Sequence, residues 1–467
     1  MPNNFLRNLP SVNQLLESPQ LKEMVENINH GVVAEGVRTF LDDLRSKVVD
    51  AAGEVPIPTP TEIADKIADW LSSEERPYLR RVINGTGIIL HTGLGRAPLA
   101  SEALAAVNEI SKGYASVEIS LETGDRGQRV KAVERLICEL TGAEAAVVTN
   151  NNAAATMLTL SAMAEGKEVI VSRGQLIEIG GSYRLPDVME CSGAKLKEVG
   201  TTNKTHLADY ENAIDPEVTG ALLKVHPSNF EVVGFTKTIS TKELSKLAAE
   251  HDLPLIDDIG SGALVDYAQF GLQNEPVASE SIRDGADLIL FSGDKLIGGP
   301  QCGIIAGKKK YVDRILKDPL MRAMRVGKMT LAALHATLSL YRDEEKARQS
   351  VPLLRMLSMP TENLKMRAEK LATLLSPVAA VESCEAIEEQ AMLGGGSLPA
   401  QKIPTWCVAI KPSGSVDALT AKLRTGSTAI LGRVHKDQLL LDMRTVSPGE
   451  DLEVVKIFEA LESSGTV

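Results

Sequence analysis

At 467 residues, with 43% hydrophobic and 24% charged side chains, the chain has an ordinary soluble globular composition and room for two or three domains. A net charge of −12 argues against general nucleic-acid affinity while leaving room for a local basic patch. The N-terminal MPNNFLRNLPSVNQ lacks a signal-peptide core, and no apolar run is long enough to span a membrane, so a cytoplasmic location is expected.

Residues 1 to about 52 read as helices, because Leu15, Leu16, Met24, Val25 and Ile28, then Val37, Phe40, Leu41 and Leu44, recur at helical spacing. The prolines of GEVPIPTPTE (53–62) mark a linker, and a short helix follows around Ile63–Leu71. From about residue 80, short β-rich runs alternate with helical stretches. AAVVTN (145–150), KEVIVS (167–172), ALLKV (221–225), LPLIDDIG (253–260), ADLILFSG (286–293) and GIIAG (303–307) are the strands. Amphipathic helices such as Val130–Leu140 and Thr241–His251 separate several of them. Apolar strands separated by helices predict a mostly parallel sheet covered on both faces, with ligands at the carboxyl ends of the strands. A helix around Met329–Arg342 leads into a smaller α/β unit with strands near TWCVAIK (405–411) and QLLLDMR (438–444). The expected division is a helical domain 1–60, a linker helix 61–80, a large domain 81–344 and a small C-terminal domain 345–467. The cysteines at 138, 191, 302, 384 and 407 form no CxxC pair and lack histidines at ligand spacing, which predicts neither a disulfide framework nor a metal site.

FSGDKLIGGPQCGII (291–305) places Lys295 between two apolar runs and beside a Gly-Gly-Pro turn. A lysine there is ordinarily a solvated charge. Glycines that let a backbone approach a ligand, and partial desolvation that makes the amine a better nucleophile toward carbonyls, favour a covalent role with the aldehyde of pyridoxal phosphate. Ser292, three residues earlier, puts a hydroxyl within reach of the cofactor phosphate. VVTNNNAAATMLTL supplies the anion site, with Asn151 and Asn152 ahead of a helix starting near Ala153. Capping alone would explain one asparagine, but three in succession exceed that need. The pyridine nitrogen calls for a carboxylate. Asp257 and Asp258 end a buried strand, and alternation lets only one face the site; Asp258 is favoured because it begins the D-x-G-S-G turn. In RRVINGTGIILHTGLGRAPL (80–99) the dinucleotide fingerprint is incomplete, so the segment reads as a glycine-lined loop bringing His91 and Arg96 toward the site.

Together RRVINGTGIILHTGLGRAPL, RGQLIEIGGSYRLPDVM, KVHPSNFEVVGFT, DDIGSGALVD, FSGDKLIGGPQCGII and RVGKMTLAALHATL resemble, in matching order over essentially the whole chain, the bacterial selenocysteine synthases, which are L-seryl-tRNA(Sec) selenium transferases. Two departures are Gly85 and Gly93, where the family commonly has INATG and HTNLGR; a third is Gln175 in place of a frequent glutamate.

The resemblance implies a fold-type-I, aspartate aminotransferase-like pyridoxal-phosphate enzyme with Lys295 as its lysine. Its reaction would turn L-seryl-tRNA(Sec) into L-selenocysteinyl-tRNA(Sec). Water is lost to give a dehydroalanyl ester, and selenium from selenophosphate is then added. Lys295 would take the α-proton; Asp294 or the Lys295 ammonium would assist departure of the hydroxyl. Arg96, Arg322 and Arg325 would bind the anionic donor, the last two sharing a helix face if that segment is helical. Gln175 is a candidate for stacking on the cofactor ring. The family's N-terminal helices recognise the tRNA, and its subunits form a ring of dimers, a decamer. Residues 1–80 hold eight basic and thirteen acidic residues, a net of −5, so RNA recognition there would rest on shape plus basic residues from elsewhere, such as Arg76, Arg80, Arg81 and Lys308–Lys310. Two other readings are a pyridoxal-phosphate lyase or aminotransferase acting on a free small amino acid, and a tRNA-binding scaffold without chemistry. The N-terminal extension weighs against the first and the retained lysine and carboxylate against the second.

Overall fold

The computed structural model describes residues 9–50, 58–74, 77–127, 129–181, 183–273 and 275–463, and the chain divides after Arg81 into two units. Residues 53–57 of the expected linker, and Arg76, lie outside the described residues.

The first unit is helical: Val12–Leu16, Pro19–Asn27, His30–Asp50 and Pro60–Glu74. Local sequence sets the starts. Ser11 Oγ accepts from the Gln14 N–H at 3.2 Å, and Pro19 stands in the first turn of the second helix. At the fourth helix the Thr59 N–H donates to Glu62 Oε2 at 2.6 Å while Thr59 Oγ1 accepts from the Glu62 N–H at 3.3 Å, a reciprocal cap that starts this helix before the expected Ile63. Leu15, Leu21, Val37, Leu41, Ile67 and Leu71 form its core.

In the second unit β1 (Val82–Gly85) does not join the large sheet; it pairs in parallel with the C-terminal strand Ala429–His435, so the expected large domain begins with a strand of the other sheet. The large sheet contains β2 (Ala145–Thr149) and β3 (Glu168–Ser172). After a small hairpin of β4 (Glu178–Ile179) and β5 (Tyr183–Arg184), it continues with β6 (Lys195–Val199), β7 (Thr219–Val225), β8 (Leu255–Gly260), β9 (Leu288–Ser292) and β10 (Gly303–Gly307). The spatial order is β2-β10-β9-β8-β7-β3-β6, and β10 alone runs antiparallel, to both β2 and β9. The connection from β9 to β10 is too short for a parallel crossover. Both faces are covered: Ile289 and Phe291 of β9 enter one core while Leu288 and Leu290 enter the other, which is why these strands read as unbroken apolar runs.

The second sheet is completed by the long hairpin β11 (Val381–Gly394) and β12 (Ser397–Pro412), then β13 (Ala429–His435) and β14 (Gln438–Asp442), in the order β1-β13-β14-β12-β11. Helices Thr361–Leu375, Val416–Thr425 and Glu450–Ser463 pack a third core against it.

Candidate active site

Lys295 stands three residues beyond the carboxyl end of β9 and is 4% exposed. Its loop is tied down on both sides of the following residues. The Leu296 N–H donates to Ser261 O at 3.2 Å, and the buried hydroxyls of Tyr267 and Tyr341 donate to the carbonyls of Leu296 and Ile297 at 2.7 and 2.8 Å. Burial, reinforced by the cation of Arg96, pushes the Lys295 ammonium below the ordinary lysine pKa, against the opposing pull of Asp294, Asp258 and Glu275.

Opposite the lysine, β8 delivers its two aspartates to opposite sides, as a pleated strand must. Asp257 is turned to Lys224 Nζ at 3.2 Å and Thr241 Oγ1 at 2.9 Å. Asp258 lines the same cavity as Lys295. Its oxygens accept from Asn152 Nδ2, Thr156 Oγ1 and the Gly260 N–H, each at 3.0 Å, yet burial outweighs these bonds and raises its pKa.

The helix Asn152–Ala164 begins at the same cavity. Asn151 caps it, Oδ1 accepting from the Ala154 N–H at 2.8 Å, which leaves the first-turn N–H groups of Asn152 and Ala153 without intrahelical acceptors. Gly303 of β10 is required beside this turn, because a Cβ there would collide with Asn151 O.

These groups surround about 210 Å³, lined by Asn151, Asn152, Ala153, Asp258, Ser292 and Lys295 with Arg96 at its side. A desolvated amine, a buried carboxylate that a cationic N–H would relieve, and a helix start suited to phosphate converge on one cavity. Asn152 Oδ1 is buried there with no hydrogen-bond partner among the described residues. The donor set fits pyridoxal phosphate.

Arg96 takes a left-handed backbone (φ 63°) after Gly95 and donates through Nη1 to Asp294 Oδ2 at 2.7 Å, so the carboxylate expected as a proton donor is occupied by a guanidinium. His91 serves the turn instead of the cavity: its carbonyl accepts from the Leu94 and Arg96 N–H groups at 3.0 and 3.1 Å. Gln175 is buried behind β7, where Oε1 accepts from the Val225 N–H at 3.1 Å, and does not line the Lys295 cavity. Arg322 and Arg325 do not line it either. The helix Leu320–Met324 ends before Arg325, whose backbone is extended (ψ 147°), so the two do not share a helix face. Arg325 lies 3.6 Å from Glu118, which also pairs with Arg129 at 2.6 Å.

Tyr183, His226, Ser228 and Gln301 line the cavity without having been singled out in the sequence. His226 follows the carboxyl end of β7, where ligands of such sheets lie, so strand position was a usable signal. Its Nε2 is 3.7 Å from Glu275, a carboxylate with neither oxygen hydrogen-bonded among the described residues. Burial and the charge of Asp258 push the Tyr183 phenol up.

Residues 82–447 match the family model for L-seryl-tRNA selenium transferase, and residues 6–45 that for the N-terminal region of selenocysteine synthase. The chain is 46% identical over 451 residues to the L-seryl-tRNA(Sec) selenium transferase of Maridesulfovibrio salexigens, covering 96% of this chain and 97% of that one. It is 47% identical over 454 residues to the protein of the same name from Solidesulfovibrio magneticus, covering 96% of each. Among solved structures, D-glucosaminate-6-phosphate ammonia-lyase superposes with a TM-score of 0.55 at 22% identity, covering 83% of this chain and 96% of that one. The architecture is the fold-type-I arrangement of pyridoxal-phosphate enzymes, with a mostly parallel sheet and an added helical N-terminus. With residues 6–45 and 82–447 matched by the two family models and 96% of the chain aligned to a relative at 46% identity, the chain belongs to the L-seryl-tRNA selenium transferase family.

Proposed function

We propose that this chain converts L-seryl-tRNA(Sec) to L-selenocysteinyl-tRNA(Sec), with selenophosphate as the selenium donor and pyridoxal phosphate held at Lys295. The observation that carries the reading is the convergence of Lys295, Asp258 and the Asn151–Ala153 turn on one cavity in a chain of this family. Bound there, the cofactor supplies an aldehyde that takes up amines and a protonated ring that accepts electron density from the α-carbon. Asp258 holds the ring N–H, and the first turn of the helix Asn152–Ala164, with Ser292, holds the phosphate. Lys295 Nζ, its pKa lowered by burial, accepts the α-proton of the seryl group and returns it toward the departing hydroxyl. That assigns the acid role to the lysine and leaves Asp294 to orient Arg96. Arg96 places a cation at the cavity for the anionic donor, and Arg322 and Arg325 serve that donor from outside the cavity. The hydroxyl and the α-proton leave as water; selenium then adds to the β-carbon as a proton returns to the α-carbon, and a water molecule breaks the selenium–phosphorus bond, releasing phosphate.

The helical first unit recognises the RNA, and the subunits assemble as a ring of dimers, a decamer. A cytoplasmic setting suits the five unpaired cysteines, and no described helix is long and apolar enough to cross a membrane. The test combines spectroscopy with two assays. The purified protein should be yellow, lose that colour on borohydride reduction, and lose the adduct in Lys295→Ala. Given seryl-tRNA(Sec) with selenophosphate, and separately free serine, it should convert the former. Conversion of free serine alone would overturn the transferase reading.

A further inference from the structure

A second cavity, about 360 Å³, adjoins the Lys295 pocket and shares His226 and Ser228 with it. Its volume lies within the roughly 300–1,000 Å³ typical of small-ligand sites. Two loops form its rim, and they are laced together. The Lys237 N–H donates to Asn203 O at 2.9 Å, the Thr205 N–H to Lys237 O at 3.0 Å, and Asn203 Nδ2 to Phe235 O at 2.7 Å. This lacing sets Lys204 and Lys237 opposite each other as a bridged pair, two like charges side by side. Neither ammonium makes an ion pair among the described residues, whereas Lys308 and Lys309 are paired with Asp287 at 2.6 Å and Asp313 at 2.9 Å. Glu243, which lies in range of Lys237, is occupied by the Ser240 cap, and Glu231 is the single carboxylate among the described lining residues. Outside the cavity lining but beside Lys204, Phe235 is 88% exposed, with Lys204 Nζ 5.8 Å from its ring centroid.

Unpaired cations beside an exposed aromatic ring are what single-stranded nucleic acid needs: charge for its phosphates and a flat face for a base. The covalent geometry of the proposed substrate demands such a place here. The seryl group is esterified to the last ribose, so when its α-carbon is at Lys295 the terminal nucleotides must occupy space immediately next to that pocket. The other adjoining cavity, about 440 Å³ and sharing Arg96 and Gln301, offers only an arginine already bound to Asp294. In a chain of net charge −12, whose first 80 residues sum to −5, uncompensated lysines at this spot are the more informative.

Resting on the transferase reading, we propose that this cavity is the subsite for the unpaired 3′-terminal nucleotides of the aminoacylated tRNA, with Lys204 and Lys237 on backbone phosphates and Phe235 stacked on a base. The test uses the full-length, cofactor-loaded protein and a short single-stranded RNA ending in CCA, followed by fluorescence anisotropy across a salt series, together with turnover of seryl-tRNA(Sec). Lys204→Ala with Lys237→Ala should lower the salt slope of binding by about 1.4, about 0.7 per lost contact. Phe235→Ala should weaken binding roughly ten-fold. Turnover should show KM raised in each variant, with the cofactor absorbance unchanged as the control for folding, and the Lys204→Arg, Lys237→Arg pair should restore the slope. If wild-type protein turns over seryl-tRNA(Sec) and the variants match it in both affinity and salt slope, the subsite is refuted and the transferase reading stands. If wild-type protein leaves seryl-tRNA(Sec) unchanged, the transferase reading falls and takes the subsite with it.

Discussion

Asp258 and Lys295 are each held in a state that ordinary folding would avoid, and the two strains have opposite signs with pH. The folded pKa of Asp258 is raised, so the ionised carboxylate is penalised above that pKa, and the cofactor-free protein loses stability as pH climbs from the unfolded carboxylate value, about 3.9, through the folded one. The folded pKa of Lys295 is lowered, so its penalty is complete below that pKa and disappears as pH rises toward the unfolded value, about 10.4. Lys295→Met should therefore raise the thermal midpoint of the cofactor-free protein at neutral pH, with the gain shrinking in alkali; an equal gain at every pH would contradict the assignment. Asp258→Asn should likewise leave the cofactor-free protein at least as stable at neutral pH while weakening cofactor binding or turnover by about 10- to 100-fold, the worth of a hydrogen bond to a charged group. Arg96→Ala acts on the same titration. It removes the cation that depresses Lys295 and releases Asp294, so the pH limb for reaction of the cofactor aldehyde with the apo-protein should move to higher pH. Movement to lower pH would show that Arg96 does not act through that field.

The elements that carry these residues were legible to different degrees. β8 and β9 announced themselves because both faces are buried and apolar; the two-residue pleat put the two aspartates on opposite sides, and the D-x-G-S-G turn singled out Asp258 over Asp257. The asparagine turn was legible for the same kind of reason: capping chemistry is local, and Asn151 performs it. Long-range pairing was not. Nothing within Val82–Gly85 signals that its partner is Ala429–Gly432, far away in the sequence, and no periodicity shows that Gln175 will turn to the Val225 N–H instead of into the cavity. The two tyrosines that anchor the lysine loop were invisible for a related reason, since Tyr341 reaches Ile297 from a position 44 residues away. Their role is testable. Tyr267→Phe and Tyr341→Phe each leave a buried carbonyl short of its donor and should cost about 1–3 kcal/mol in urea unfolding. If the loop positions Nζ, kcat should fall in the double variant more than KM rises; a stability loss with unaltered kcat would limit the tyrosines to a structural role.

At the scale of the whole chain, composition pointed to an ordinary globular class but could not locate RNA contacts, because net charge averages over both units. The two units have separate cores, the first built from residues such as Leu15, Leu41 and Leu71, the second, among the described residues, from five clusters that include none of the first unit's residues. The boundary between them is therefore a sharp prediction. A chain starting at Pro77 keeps β1, whose Ile83 is fully buried in the C-terminal core. It should fold, bind the cofactor and give the borohydride-sensitive colour, yet lose its preference for tRNA(Sec) over other seryl-tRNAs, the affinity ratio falling toward one. A chain starting at Gly87, only ten residues shorter, should fare much worse. It removes Ile83 from a filled core, worth about 2–5 kcal/mol, and leaves Ala429–Gly432 of β13 without their parallel partner. Equal thermal midpoints for the two truncations would refute the placement of β1. A chain starting at Pro77 that still selects tRNA(Sec) would move recognition out of the helical unit and into the second.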